Sequence, residues 1–200
     1  MTITTRTAIG FSITGRYLTL SLQFVSTMIL ARLLTPEEIG IFSAGFTIVA
    51  LAQLFRDFGL NQYIIQEKEL SETKIRTTFT LNLLMSWTLG TLLFFSAGLI
   101  AAFFQEEGIE TLIRILSFNF FIIPFGTITL ALLRKKMRFH ITEAIGLIAT
   151  VLGISISLAT AYTGSGYLCL AYGAITETSS IVLLSVFFRP RDVSVRPTLE

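Results

Sequence analysis

Residues 79–104 have the sequence FTLNLLMSWTLGTLLFFSAGLIAAFF, which contains no charged side chain. A helix needs about 20 mostly apolar residues to cross the hydrocarbon core of a bilayer, and this run exceeds that length. Its apolar residues come in blocks, whereas a strand of a membrane β-barrel has them at every second position. The run therefore predicts a transmembrane α-helix.

Five other apolar runs repeat this pattern along the chain. Hydrophobic residues make up 52% of the 200 residues and charged residues 14%, whereas a soluble domain carries about 25% charged residues. The sequence therefore predicts an all-α integral membrane protein, a bundle of six transmembrane helices. The predicted spans cover about residues 8–34, 39–60, 79–104, 112–133, 144–162 and 167–188, which form one lobe (1–188) followed by a polar tail (189–200).

Two local signals predict where particular helices begin and break. Thr35 can cap the free amides of a helix, Pro36 suits its first position, and Glu38 stands three residues after the cap. We expect this start to close a tight hairpin in which the first two spans are antiparallel neighbours. Pro124 has no amide hydrogen to donate, so it predicts a kink or break in the fourth span.

Basic residues are distributed unevenly between alternate loops. The loops on one side carry Arg6, Lys68, Lys74, Arg76, Arg134, Lys135, Lys136, Arg138, Arg189, Arg191 and Arg196. The other side carries only Arg32, beside several glutamates. Cytoplasmic loops hold the excess of Lys and Arg, so both termini are predicted to be cytoplasmic. The basic run at 134–140 either sets this topology, which is the commoner role, or binds acidic lipid.

The sequence lacks the patterns typical of an enzyme, a cofactor site or a metal centre. Its one histidine, His140, lies in a basic loop, and its one cysteine, Cys169, lies in an apolar run. There is no nucleotide-binding glycine loop and no Ser/His/Asp set that one side of the membrane could assemble. A formal charge of +2 is too small to indicate a nucleic-acid partner. We therefore predict no enzymatic activity, no cofactor and no nucleic acid.

Ionisable residues within the predicted spans are the candidates for a functional site. Such a group costs at least ~2.5 kcal/mol at membrane depth, so it usually faces a bundle interior or water. Arg16 forms a polar stripe with Gln23, Ser12 and Thr19, which indicates a hydrated cavity, although its side chain can also snorkel to the headgroups. Arg56 either faces the same cavity or anchors the helix at the interface.

Three further ionisable residues have alternative interpretations. Asp57 points about 100° away from Arg56 on a helix, so we do not expect these two residues to pair. Arg114 has Glu110 one turn earlier and is expected to pair with it in a structural role. Glu177 lies mid-span, where it could carry a proton or cation, or form an ion pair that fixes helix packing.

Residues 31–42, ARLLTPEEIGIF, resemble the "ARLL(S/T)PEEFG" hairpin of bacterial polysaccharide transporters. These are lipid-linked oligosaccharide flippases of the multidrug/oligosaccharidyl-lipid/polysaccharide exporter superfamily. Three other stretches are similar to that family's motifs in the expected order: Asp57-Phe58-Gly59-Leu60 with Ile64-Ile65-Gln66, Thr78-Phe79-Thr80-Leu81-Asn82, and Leu133-Arg134-Lys135-Lys136-Met137-Arg138-Phe139. The resemblance covers nearly the whole chain.

This resemblance implies a function and a site. The family moves undecaprenyl-pyrophosphate-linked oligosaccharide across the bacterial inner membrane through a cavity between two lobes. This chain matches the N-terminal lobe, with 189–200 as a tail or inter-lobe linker, so we expect a second lobe or another chain as partner, besides membrane lipids. Arg16, Arg56 and Gln23 would bind the diphosphate, and Glu177 and Asp57 would couple an ion or balance charge. The alternatives are an ion-coupled exporter of small cations and a non-transporting, half-length subunit or remnant.

Overall fold

The computed structural model of the chain describes residues 5–57, 72–135 and 138–188, and their regular structure is entirely α-helical. This confirms the predicted all-α class. The described residues form seven helices, in chain order α1 (Thr5–Leu33), α2 (Pro36–Asp57), α3 (Glu72–Phe104), α4 (Glu107–Ile122), α5 (Pro124–Lys135), α6 (Phe139–Tyr162) and α7 (Leu168–Phe187).

Four of these helices are long and apolar enough to cross a membrane: α2, α3, α6 and α7. Helices α4 and α5 provide a fifth candidate span if they are taken together. A 52° bend separates them at Ile123. The bend confirms the break predicted at Pro124, where the ring removes a hydrogen-bond donor from the helix. Helix α1 is continuous but is not among these candidates, so the sixth span stays a prediction, as does the orientation.

Several helices begin before the predicted spans do. Helix α3 begins at Glu72, so part of the segment that we assigned to a polar loop is helical, and α6 begins at Phe139 rather than near residue 144. Helix α4 likewise begins at Glu107 rather than near 112. Hydrophobic runs mark only the part of a helix that lies in hydrocarbon, and polar residues can continue the same helix into the interface.

The turn between α1 and α2 has the predicted cap. The Thr35 amide donates to Glu38 Oε2 at 2.8 Å, and the Glu38 amide donates to Thr35 Oγ1 at 3.2 Å. The predicted packing of these two helices is wrong, however. Helix α1 packs on α6 and α2 packs on α4, and the described residues form no extensive interface between α1 and α2. A short turn joins the two helix ends without forcing the helices together along their length.

The bundle is built around α4, which packs against α2, α3 and α7. Small residues permit close approach at two crossings. A Cβ on Gly45 of α2 would lie 2.6 Å from Leu112 Cδ2, and a Cβ on Gly90 of α3 would lie 2.9 Å from Phe120 Cβ. Glycines of this kind let helices approach closely in a membrane, where packing rather than water exclusion drives association. The main core cluster consists of Val49, Leu93, Ala97, Ala101, Ile109, Leu112, Ile113, Leu116, Phe120 and Ala171.

Helices α6 and α7 form the most extensive pair, and they cross at facing glycines. A Cβ on Gly153 would lie 2.9 Å from the carbonyl oxygen of Gly173, and one on Gly173 would lie 2.8 Å from Ser157 Cβ. The backbones therefore nearly touch. This crossing sets the position of Glu177, one turn after Gly173.

Candidate functional site

The polar stripe of α1 is exposed at Arg16 and Gln23, whereas Thr19 is half-buried and the side chain of Ser12 lies outside the described part of the structure. Arg16 and Gln23 are both exposed and stand two turns apart on one face, and the Thr27 hydroxyl donates to the Gln23 carbonyl at 2.8 Å in the next turn. Leu30, seven residues after Gln23 on nearly the same face, is buried with Leu34 and Cys169, so the exposed part of this face ends before Leu30.

Glu143 lies beside this stripe and was missed from the sequence. Its Cβ is 3.3 Å, and its Oε2 3.9 Å, from the position that a Cβ on Gly15 would occupy, so the half-buried side chain contacts α1 next to Arg16. We had started the fifth span after Glu143 and so assigned this residue to a loop. Because α6 begins at Phe139, Glu143 instead stands one turn inside the helix and faces α1.

Arg56 is buried, with 7% of its side chain exposed, and it pairs with its neighbour. Its Nε and Nη2 donate to Asp57 Oδ1 at 3.0 and 2.8 Å, and its guanidinium carbon lies 5.6 Å from the centre of the Phe120 ring. Our prediction that Arg56 and Asp57 do not pair was wrong. It used only the directions of the Cα–Cβ bonds, whereas a long arginine side chain can fold back to its neighbour.

The surroundings of Arg56 differ from those of Arg16. Arg56 belongs to α2 and stacks on α4, whereas α1 lies on α6, so no shared helix interface brings the two arginines together. Among the described residues, Arg56 Nη1 and the side-chain oxygen of buried Asn119 have no hydrogen-bond partner. Asn119 precedes Phe120 on α4. The last turn of α2 thus holds a buried cation whose Nη1 has no hydrogen-bond partner in the part of the chain that the structure describes.

Arg114 has the predicted structural role. It forms an ion pair with Glu110, one turn earlier on α4, and its guanidinium carbon lies 5.6 Å from the centre of the Phe94 ring on α3. The ion pair lies within α4, and the ring contact ties the first turns of α4 to α3.

Glu177 lies in the middle of α7 and faces α6. Its Oε1 accepts a hydrogen bond from Thr150 Oγ1 at 2.7 Å, and its Cβ borders Gly153 at the helix crossing. The side chain is half-buried, and within the described ranges it pairs with no lysine or arginine. Among the residues that the structure describes, the carboxyl group is therefore held by a hydroxyl, and its role stays a prediction.

Comparisons with known proteins place this sequence among polysaccharide biosynthesis proteins. The sequence profile of a family described as polysaccharide biosynthesis protein matches residues 29–200. Lipopolysaccharide biosynthesis protein WzxC of Escherichia coli (strain K12) is 27% identical over 169 residues, which are 84% of this chain and 34% of that protein. Succinoglycan biosynthesis transport protein ExoT of Rhizobium meliloti (strain 1021) is 30% identical over 162 residues, 79% of this chain and 32% of that protein.

A third relative gives the same result. Teichuronic acid biosynthesis protein TuaB of Bacillus subtilis (strain 168) is 29% identical over 131 residues, 66% of this chain and 27% of that protein. The chain thus spans about a third of the length of the curated relatives that it matches. No solved structure matches the chain.

Proposed function

Because this chain belongs to the polysaccharide biosynthesis protein family, we propose that it forms the first transmembrane lobe of a flippase. The flippase moves undecaprenyl-pyrophosphate-linked oligosaccharide across the bacterial inner membrane for polysaccharide export. The family match over residues 29–200 of a helical membrane chain is the observation that carries this proposal. The transport role named for the Rhizobium meliloti relative supports it.

The exposed stripe of α1 supplies one wall of the substrate cavity. Arg16 and Gln23 present a charged donor and an amide to the space beyond α1, where a second lobe would close the cavity. A guanidinium can donate two parallel hydrogen bonds to a phosphate, so Arg16 matches a diphosphate headgroup better than a neutral sugar. Rocking of the two lobes about this wall would then expose the bound headgroup to each leaflet in turn.

The other proposed residues have supporting roles. Arg56 would add attraction for the diphosphate through its charge, from the last turn of α2 and apart from the α1 wall, and Asp57 would balance that charge while the site is empty. Glu177 would couple the transport cycle to a proton or cation, because its carboxyl group lies mid-span against a single hydroxyl partner. Glu143, next to Arg16, is a second acidic group near the wall.

The test uses the complete transporter in cells that lack their own flippase. Arg16→Gln and Gln23→Ala are compared with Arg32→Gln, which removes an exposed arginine at the other end of the same helix. We expect the first two variants to lower surface polysaccharide and to accumulate the lipid-linked repeat unit on the cytoplasmic leaflet. A bidentate, charge-assisted contact is worth about 1.5–3 kcal/mol, so Arg16→Gln should slow export by about tenfold or more. Export equal to that of Arg32→Gln, at equal protein abundance, would refute the site.

A further inference from the structure

A groove runs between α5 and α7 on a part of the bundle that the proposed substrate wall does not use. It has a volume of about 190 Å³ and is lined mainly by apolar atoms, with Ile123, Thr127 and Leu130 on one side and Thr178 and Ile181 on the other. Helix α5 packs on α7, α3 and α6, whereas α1 packs on α6. The groove and the polar stripe of α1 are therefore separate surfaces.

The bend at Pro124 explains why this groove exists. The 52° change of direction tilts α5 against α7, and the two helices meet closely at Gly126, where a Cβ would lie 3.0 Å from Val182 Cγ2 and from Ser185 Oγ. The bulkier residues around this contact point hold the helices apart and leave the groove open. A straight α4–α5 helix would not make this crossing.

The groove leads to a basic surface at the end of α5. Ile123, Thr127 and Leu130 are spaced four and three residues apart, so they form one stripe along the helix, and Arg134 continues that stripe one turn later. Arg134 is exposed, and so is Arg138, whose amide donates to the Leu133 carbonyl at 2.9 Å. This hydrogen bond holds the start of α6 beside the last turn of α5.

Tertiary packing brings further cations to the same end of the bundle. Ile75 of α3 clusters with Ile128, Ala131 and Leu132 of α5. Lys74 and Arg76, which flank Ile75 in the sequence, are thereby placed near the end of α5. The basic segments before α3 and after α5 are separate in the sequence and adjacent in the fold.

We propose that this site binds an anionic phospholipid of the cytoplasmic leaflet, with an acyl chain in the α5–α7 groove and the phosphate at Arg134 and Arg138. The apolar lining suits an acyl chain, and exposed arginines at its end suit a phosphate with a net negative charge. A zwitterionic headgroup would bind less tightly because it carries a compensating cation. The proposal does not depend on the transported substrate.

The test measures lipid binding to the purified, delipidated 200-residue chain in detergent by native mass spectrometry. Phosphatidylglycerol is titrated against phosphatidylcholine with the same acyl chains. We expect Arg134→Gln to weaken phosphatidylglycerol binding about fivefold and the double variant with Arg138→Gln about thirtyfold, with little change for phosphatidylcholine. Arg32→Gln, an exposed arginine at the end of α1, is the matched control and should bind as the unaltered chain does.

A second variant tests the groove itself. Leu130→Trp places a larger side chain in the groove and should weaken the binding of both lipids, while circular dichroism checks that the helices remain. Equal affinity for the two lipids, an equal loss in Arg32→Gln, or unchanged binding in a helical Leu130→Trp variant would each overturn the proposal. Displacement of phosphatidylglycerol by equimolar undecaprenyl diphosphate would also overturn it, because the site would then belong to the transported lipid.

Discussion

Replacing Gly153 by alanine should destabilise the bundle, because the α6–α7 crossing leaves no room for a Cβ atom. The new atom would lie 2.9 Å from the carbonyl oxygen of Gly173 and 2.9 Å from Glu177 Cβ, whereas ordinary contacts begin at 3.4 Å. The helices must therefore separate by about 0.5 Å, and neither contacting atom is the far end of a flexible side chain. Overpacking of this kind costs about 1–3 kcal/mol.

Gly146→Ala is the matched control on the same helix, because a Cβ at Gly146 would meet nothing within 4 Å. Alanine favours a helix over glycine by about 1 kcal/mol, and this gain is common to both variants. The difference between the two variants therefore isolates the crossing. The measurement follows helix content during denaturant unfolding in mixed micelles. The free energy of unfolding of Gly153→Ala should be about 1–3 kcal/mol lower than that of Gly146→Ala. Equal free energies of unfolding would show that α6 and α7 do not approach so closely.

Two other predictions use the same unfolding measurement. Asp57→Asn removes the charged partner of buried Arg56 and should lower the free energy of unfolding by about 1.5 kcal/mol. This is the lower part of the usual range, because the Asp57 side chain is 48% exposed. An unchanged free energy of unfolding would mean that water replaces Asp57 fully. Thr150→Val removes the hydroxyl that donates to Glu177 and should cost about 1 kcal/mol. The comparison is Thr160→Val, whose half-buried hydroxyl donates to the Ile156 and Ser157 carbonyls of its own helix, and an equal loss in both variants would contradict a specific Thr150–Glu177 bond.

Features that depend on neighbouring residues could be predicted from the sequence. The cap at Thr35 and Glu38, the break at Pro124 and the pair of Glu110 with Arg114 all involve residues at most four positions apart. Helical geometry alone decides whether such residues meet. The exception is Arg56 with Asp57, where the length of the arginine side chain outweighs the directions of the two Cβ atoms.

Less of the candidate site could be predicted from the sequence, because its surroundings depend on tertiary structure. The sequence identified Arg16 and Gln23 as one stripe, but only the fold shows that both of these side chains are exposed. The packing of α1 on α6 reveals Glu143 beside Gly15. It also separates Arg56 from Arg16, which a neighbouring pair of first helices would have brought together.

The sequence by itself determined that this chain is a helical membrane protein and where most of its helices end. In hydrocarbon each backbone polar group must find its partner within its own segment, so a long apolar run has to be a helix whatever surrounds it. Only the tertiary structure decided which helices are neighbours. That choice depends on how side chains far apart in the sequence fit together, as Gly153 fits against Gly173 and Gly45 against Leu112, and lipid offers little preference of its own between apolar faces.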